Sequence, residues 1–241
     1  MTTTPSSHAD EPHAAGTADR LNRLRAGVLG ANDGIVSVAA VVVGVAGATT
    51  SLPAILAAGS AALVGGAISM ALGEYVSVSS SRDTTRALIE KEREELATMP
   101  EQELAELTAL YRAKGLTEQT ARTVAQELTA HDALAAHLEV ELNIDEDDIV
   151  SPWAAAAASA LSFLIGAVLP MAAILLPPEP ARIPVCFAAV LVALVLTGTI
   201  SARIGGTRPL RATLRVVIGG ALALAATFVV GRLLGTAGLG A

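Results

Sequence analysis

Two glutamate pairs with the same spacing, Glu92-x2-Glu95 and Glu103-x2-Glu106, carry the clearest chemical pattern in this chain. A three-residue step puts both carboxylates of a pair on one face of a helix. Farther along, His137 and Glu141 stand four apart and again share a face. Carboxylates with an imidazole suit Fe²⁺, Mn²⁺ or Zn²⁺ rather than soft Cu⁺. The same spacing also describes charged helices that simply solvate themselves, and Glu90, Glu94 and Glu101 show that not every glutamate here is a ligand.

A second position with chemical potential is Asp33 in "GANDGIVSV", near the start of an apolar run that continues to about Thr50. A carboxylate in hydrocarbon costs a few kcal/mol or more, so it needs a purpose. It either meets a cation in a wet seam or serves as a hydrogen-bond partner for Asn32 or a neighbouring helix. Farther on, "SMALGEY" holds Met70 and, one turn later, Glu74. Met70 is a soft ligand if it faces the same seam and packing if it does not. Glu74 reads equally as a transport carboxylate or as an interfacial partner for Arg82 or Arg86.

The elements that position these groups follow from hydropathy and charge. The 241 residues are 52% hydrophobic with mean hydropathy +0.56, too apolar for an ordinary soluble domain, yet 16% are charged. The charge is segregated: Arg82 to Asp148 holds 17 acids and 7 bases, while the remainder has a slight basic excess. Five stretches are long and apolar enough to span a bilayer, at about 26–48, 53–79, 153–176, 183–204 and 212–235. "TTSL" makes the first two a tight hairpin, with Pro53 at the start of the second helix. Ser151 caps the third, Pro152 occupies its first turn, Trp153 suits the headgroup level, and Pro170 is expected to kink it. Ala26, Gly30 and Gly34 recur every four residues, a spacing that marks close helix packing or dimer contacts.

Arginines set the orientation. Arg20, Arg23 and Arg25 precede the first span, Arg82 and Arg86 follow the second, and Arg203, Arg208, Arg211 and Arg215 bracket the link between the last two. The positive-inside rule then places the N-terminus and the acidic insert in the cytoplasm and the C-terminus outside. Residues 1–19 are polar and proline-containing and read as a disordered tail that includes His8 and His13. The domain reading is therefore tail 1–19, spans 1 and 2 over 20–81, acidic helical insert 82–150, and spans 3 to 5 over 151–241. The insert reads as three helices: a continuation of the second span, one opening at Pro100, and one capped by Thr117. Leu88, Leu96, Leu104, Leu107, Leu110, Val124, Leu128, Leu134 and Leu138 are the expected core. The single cysteine, Cys186, excludes an intrachain disulfide and a cysteine metal cluster.

Taken together, "GANDGIVSV", "AISMALGEYVSVSSSRD", the paired ExxE insert, "ELNID" and "SPWAAAAASALSFLIGAVLP" resemble the vacuolar iron transporter family over about residues 20–235. The resemblance implies an all-α membrane protein with five spans per subunit, a cytosolic helical metal-binding domain and a homodimer whose path runs along the subunit interface. It further implies that Asp33, Met70 and Glu74 line the path and that Glu92, Glu95, Glu103, Glu106 and Glu141 bind metal. Plant members carry two methionines where this chain has His137 and Leu138, so a sulfur donor is lost and metal preference shifts toward harder or imidazole-favouring ions.

The expected function is export of Fe²⁺, and of Mn²⁺ in addition, from the cytosol by proton antiport, in the cell (inner) membrane of a prokaryote. The antiport step comes from the resemblance alone. Expected partners are divalent metal ions, protons, the lipid bilayer and a second copy of the chain. Neither a nucleic acid nor a tightly bound cofactor is expected. The rival reading is a membrane-tethered metal sensor or buffer, which has no need of Asp33 or "SMALGEY". An enzyme such as a ferroxidase calls for Glu-x-x-His pairs on bundle helices, and the insert offers ExxE pairs with only His131 and His137 nearby.

Overall fold

The computed structural model describes residues 17–144 and 150–237. Among them the chain is all helix: α1 (Thr17–Ala48), α2 (Leu52–Thr98), α3 (Pro100–Ala113), α4 (Glu118–His137), α5 (Pro152–Leu175), α6 (Arg182–Ile204) and α7 (Pro209–Thr236). A π-helical turn, Leu138–Leu142, prolongs α4, and a 3₁₀ turn, Glu179–Ala181, precedes α6. Helix α1 begins at Thr17, within the stretch read as a tail; the rest of that stretch, and most of "NIDEDDI", lie outside the described residues.

Among the described residues five helices are long and apolar enough to cross a membrane: Gly27–Ala48, Leu52–Thr98, Pro152–Leu175, Glu179–Ile204 and Pro209–Thr236. Local chemistry fixes several of their starts. Pro53 lies in the first turn of α2, Pro152 opens α5 with Ser151 Oγ 3.5 Å from the Ala154 amide, and Pro209 opens α7. Helix α5 continues through Pro170 to Leu175. The chain forms two compact units, residues 1–72 with 156–241 and residues 73–155.

In the first unit α1 is the central helix. Its residues Val38, Ala39, Val42 and Val43 are fully buried, and it packs against α6 and α7, which also pack on each other. Lipid tails are as apolar as these side chains, so close van der Waals packing, not escape from water, holds such helices together. Glycine makes that packing possible. A Cβ at Gly34 would collide with the Phe163 carbonyl of α5, and one at Gly166 would collide with the Ala31 carbonyl of α1. A Cβ at Gly30 would lie 2.9 Å from Ser162 Cβ, so Gly30 and Gly34, two members of the four-residue repeat, seat α5 within the same chain. Farther along, Gly231 of α7 meets the Gly44 carbonyl of α1. Polar ties among the described residues of this unit include Thr197 Oγ1 of α6 donating to Asn32 Oδ1 of α1 at 3.4 Å, the Thr199 and Thr213 hydroxyls of α6 and α7 at 3.3 Å, and Arg182 Nη1 donating to the Thr50 carbonyl at 3.2 Å. Cys186 is buried and free, with its Sγ 3.9 Å from the Pro170 carbonyl.

In the second unit Leu107, Ala125 and Ala136 are buried at the centre, with Leu104, Tyr111, Leu128 and Val140 packed around them. Leu138 is also fully buried. Leu88 is a correction to the expected core, being 37% exposed while its neighbour Ile89 is buried. The buried stripe of α2 here runs through Ile89 and Glu92 to half-buried Leu96, with Leu88 one position off it, so a three-residue step from Ile89 brings a carboxylate inward. On α4 the inward positions include alanines, Ala121 and Ala125, which let α3 approach closely. Thr117 caps α4 as its sequence suggests, its side chain accepting from the Thr120 amide at 3.3 Å. The expected single helix through Leu142 is instead broken at Asp132 (φ −159°, ψ 98°). The Asp132 carboxylate accepts from the Ala135 amide at 3.0 Å and so starts a new helical segment. That segment passes into the π-helical turn and ends at Asn143, which takes a left-handed conformation (φ 52°).

Candidate metal centre

Four of the expected ligands converge in the second unit. His137 is completely buried, and its Nδ1 lies 3.0 Å from Glu92 Oε1, 3.7 Å from Glu103 Oε2 and 3.7 Å from Glu141 Oε2. Glu92 comes from the end of α2, Glu103 from the first turn of α3, and Glu141 from the π-helical turn. The contact with Glu92 is close but badly angled for a hydrogen bond: Glu92 Oε1, His137 Nδ1 and His137 Nε2 are all buried without a hydrogen-bond partner. Buried polar atoms are nearly always satisfied, and leaving one unsatisfied costs about 1–3 kcal/mol. Ligand atoms of Glu92, His137 and Glu141 lie within 4.8 Å of one another. One imidazole nitrogen and two or three carboxylates thus cluster closely enough to share one ion, and this donor set suits a hard or borderline divalent cation.

Electrostatics agree with that reading. Burial first, then the Glu141 carboxylate, pushes Glu92 above the ordinary glutamate range. Burial first, then neighbouring Glu106, does the same to Glu103. Each carboxylate is held where its charge is disfavoured. Glu95 and Glu106 stand outside the cluster. Glu95 accepts from Lys91 Nζ at 2.7 Å, and Glu106 is exposed. Their negative charge still reaches Glu103, which both of them push upward.

The other three expected site residues are spread over both units. Asp33 is half-buried on α1, where its Oδ1 accepts from Ser37 Oγ one turn later at 2.8 Å. The tie to a neighbouring helix runs through Asn32 and not through Asp33. Met70, on α2, is half-buried against the apolar core of the first unit. Glu74, also on α2 and half-buried, belongs to the second unit.

A model of the VIT family matches residues 24–232, nearly the whole chain. The chain belongs to the VIT family. It is similar to a vacuolar iron transporter of Acanthamoeba castellanii, 44% identical over 211 residues that cover 87% of this chain and 78% of that one. Vacuolar iron transporter homolog 1 of Oryza sativa subsp. japonica is 38% identical over 91% of this chain and 77% of its own length. The protein of the same name in Arabidopsis thaliana is 33% identical over 94% and 90%. These relatives carry transporter names and not enzyme names.

In this VIT family member, sequence spacing alone did not reveal what turns His137 inward. Asp132 supplies the cap that breaks α4, and the π-helical turn that follows sets the direction of Glu141. The signal was present as an N-capping residue type inside an otherwise helical pattern. A π-helical turn of this kind often accompanies a functional site, because the extra residue redirects side chains.

Proposed function

We propose that the protein exports divalent metal from the cytosol, Fe²⁺ first and Mn²⁺ as a second cargo, in exchange for protons. The observation that carries the proposal is the buried, unpartnered His137 ringed by Glu92, Glu103 and Glu141 in a chain of the VIT family. Metal is the cargo here. The acidic helical region, residues 82–150, faces the cytoplasm and captures the ion; spans 1 and 2 (20–81) and 3 to 5 (151–241) form the membrane part. Glu95 and Glu106 draw cations toward the cluster by their charge. From there the ion moves by way of Glu74 and Met70 to Asp33, where a carboxylate alternately holds metal and proton. Ser37, which donates to Asp33 at 2.8 Å, orients its carboxylate.

The transporting unit is a homodimer with its path along the subunit seam, in the cell membrane. Two features of α2 leave room for a partner: a Cβ at Gly65 or Gly73 would have nothing within 4 Å, and Val64, Ile68, Leu72 and Val76 are more than half exposed. Both suit lipid or a second copy.

The test is flux into proteoliposomes with an imposed pH gradient, comparing Fe²⁺ and Mn²⁺. Gradient-driven uptake that disappears in Asp33→Ala is expected. Tight binding without flux, in vesicles shown to hold correctly folded protein, would overturn the proposal in favour of a tethered metal buffer.

A further inference from the structure

We infer that the link between α6 and α7 is a binding face for anionic phospholipid headgroups. Arg203 lies in the last turn of α6, Arg208 immediately precedes α7, and Arg211 and Arg215 lie on its first turns. All four are exposed. Steps of three and four residues place Arg208, Arg211 and Arg215 along one side. No aspartate or glutamate occurs after Glu179, so the stretch supplies no counter-charge of its own. Among the described residues none of the four is in an ion pair.

The turn amides are not free to bind an anion. Gly205 donates to the Ser201 carbonyl, Gly206 to that of Arg203 and Thr207 to that of Ala202. The guanidinium groups remain, and their planar fork matches phosphate oxygens two at a time. Beside the arginine stripe runs a second one, Leu210, Leu214 and Ile218, exposed by 72%, 48% and 55%. A lipid presents those two chemistries side by side, phosphate next to hydrocarbon; a free phosphate presents only the first. Arginine in place of lysine at all four positions also favours a fixed, forked contact over a diffuse attraction.

The inference does not depend on the metal cargo and is tested on the full-length protein without metal. Protein in neutral detergent is titrated with phosphatidylglycerol or phosphatidylcholine, and bound lipid is counted by native mass spectrometry. The natural chain should prefer phosphatidylglycerol by about a hundredfold over Arg208→Gln/Arg211→Gln/Arg215→Gln, at roughly fivefold per arginine. Arg232→Gln, at the far end of α7, should keep the preference. The triple Arg→Lys variant should fall in between. Equal retention by the triple Gln variant, an equal loss in Arg232→Gln, or full displacement of the lipid by an equal concentration of inorganic phosphate would overturn the inference. If the triple Gln variant does not fold, Arg211→Gln alone should lose about fivefold, and an unchanged preference there overturns it equally.

Discussion

His137 Nδ1 stands 3.0 Å from Glu92 Oε1 with both side chains buried, yet neither atom completes a hydrogen bond. Two buried polar groups brought this close without satisfying each other store a cost that a cation between them removes. Metal should therefore stabilise the folded protein, by about 2.7 kcal/mol at a concentration one hundred times Kd. In the metal centre proposed above, replacing His137 with alanine removes one donor to the ion. Even supporting residues around a metal typically contribute 10- to 100-fold in affinity, so His137→Ala should lose about 100-fold or more. Calorimetric titration of the full-length protein with Mn²⁺ checks this. Affinity unchanged within a factor of two would remove His137 from the centre.

Acid should act on this centre in two opposite ways. Glu92 and Glu103 are both held above the ordinary glutamate value of 4.5 in the folded chain, chiefly by burial. Protons therefore compete with metal at a higher pH than at an exposed glutamate, and affinity should decline as pH falls from 7 toward 5. For the metal-free protein the sign reverses. A raised folded pKa means that the folded state binds protons more tightly than the unfolded one, so these two residues destabilise at neutral pH. That penalty is relieved as pH drops through the raised values and is gone near 4.5, where the unfolded chain also protonates. Melting curves of the metal-free natural protein and of Glu92→Gln/Glu103→Gln, compared from pH 7 to 5, should converge on acidification. Curves that stay parallel would show that these carboxylates carry no such penalty.

Asp132 should matter more than its exposed position suggests. Removing a helix cap costs about 1 kcal/mol, and here the capped segment carries His137 and leads into Glu141. Asp132→Ala should lower the melting temperature by a few degrees and weaken metal binding, whereas Asp132→Asn, which also caps, should restore both. Loss of binding in both variants would point to the charge of Asp132 and away from its cap.

The contrast between Asp132 and the five spans shows which features a sequence exposes. Hydropathy over some twenty residues is a long, redundant signal, and the limits of the apolar segments follow it within a few residues except in α2, which runs on to Thr98. ExxE spacing is equally local, so the candidates Glu92 and Glu103 were legible. What spacing could not say is which member of each pair turns inward. That depends on how α3 and α4 close on the end of α2: Glu92 follows Ile89 into the interior, while Glu95 stays with Lys91. Alanine-mediated contacts such as Ala121 and Ala125 are likewise invisible as a stripe, because alanine is common throughout the chain. The kink at Asp132 lies between these cases: the capping residue was in view, but a helical pattern on both sides hid it.

Asp33 offers a clean separation of stability from transport. Its carboxylate accepts a hydrogen bond from Ser37 in the same helix, so Asp33→Ala or Asp33→Asn removes one local contact worth about 1 kcal/mol. Melting should shift little, and metal flux in proteoliposomes should fall to background. Ser37→Ala should leave the fold intact and reduce flux only in part. Full transport by Asp33→Asn would remove the charge of this residue from the mechanism.

Gly34 and Gly65 make a pair that tests what each glycine faces. At Gly34 an added methyl meets the Phe163 carbonyl, which is backbone and has no rotamer to change. Helices α1 and α5 would have to separate, at a cost of about 1–3 kcal/mol for overpacking, so Gly34→Ala should give a lower melting temperature and reduced yield of folded protein. At Gly65 the added methyl meets nothing within 4 Å in the single chain. As a lone subunit, Gly65→Ala should be neutral or gain up to about 1 kcal/mol from improved helix propensity. In the homodimer proposed above, with α2 at the seam, the same change should instead weaken association without lowering the monomer's own melting temperature. Analytical ultracentrifugation in detergent distinguishes the two: a shift toward monomer in Gly65→Ala places the partner on this face, and an unaltered dimer places it elsewhere.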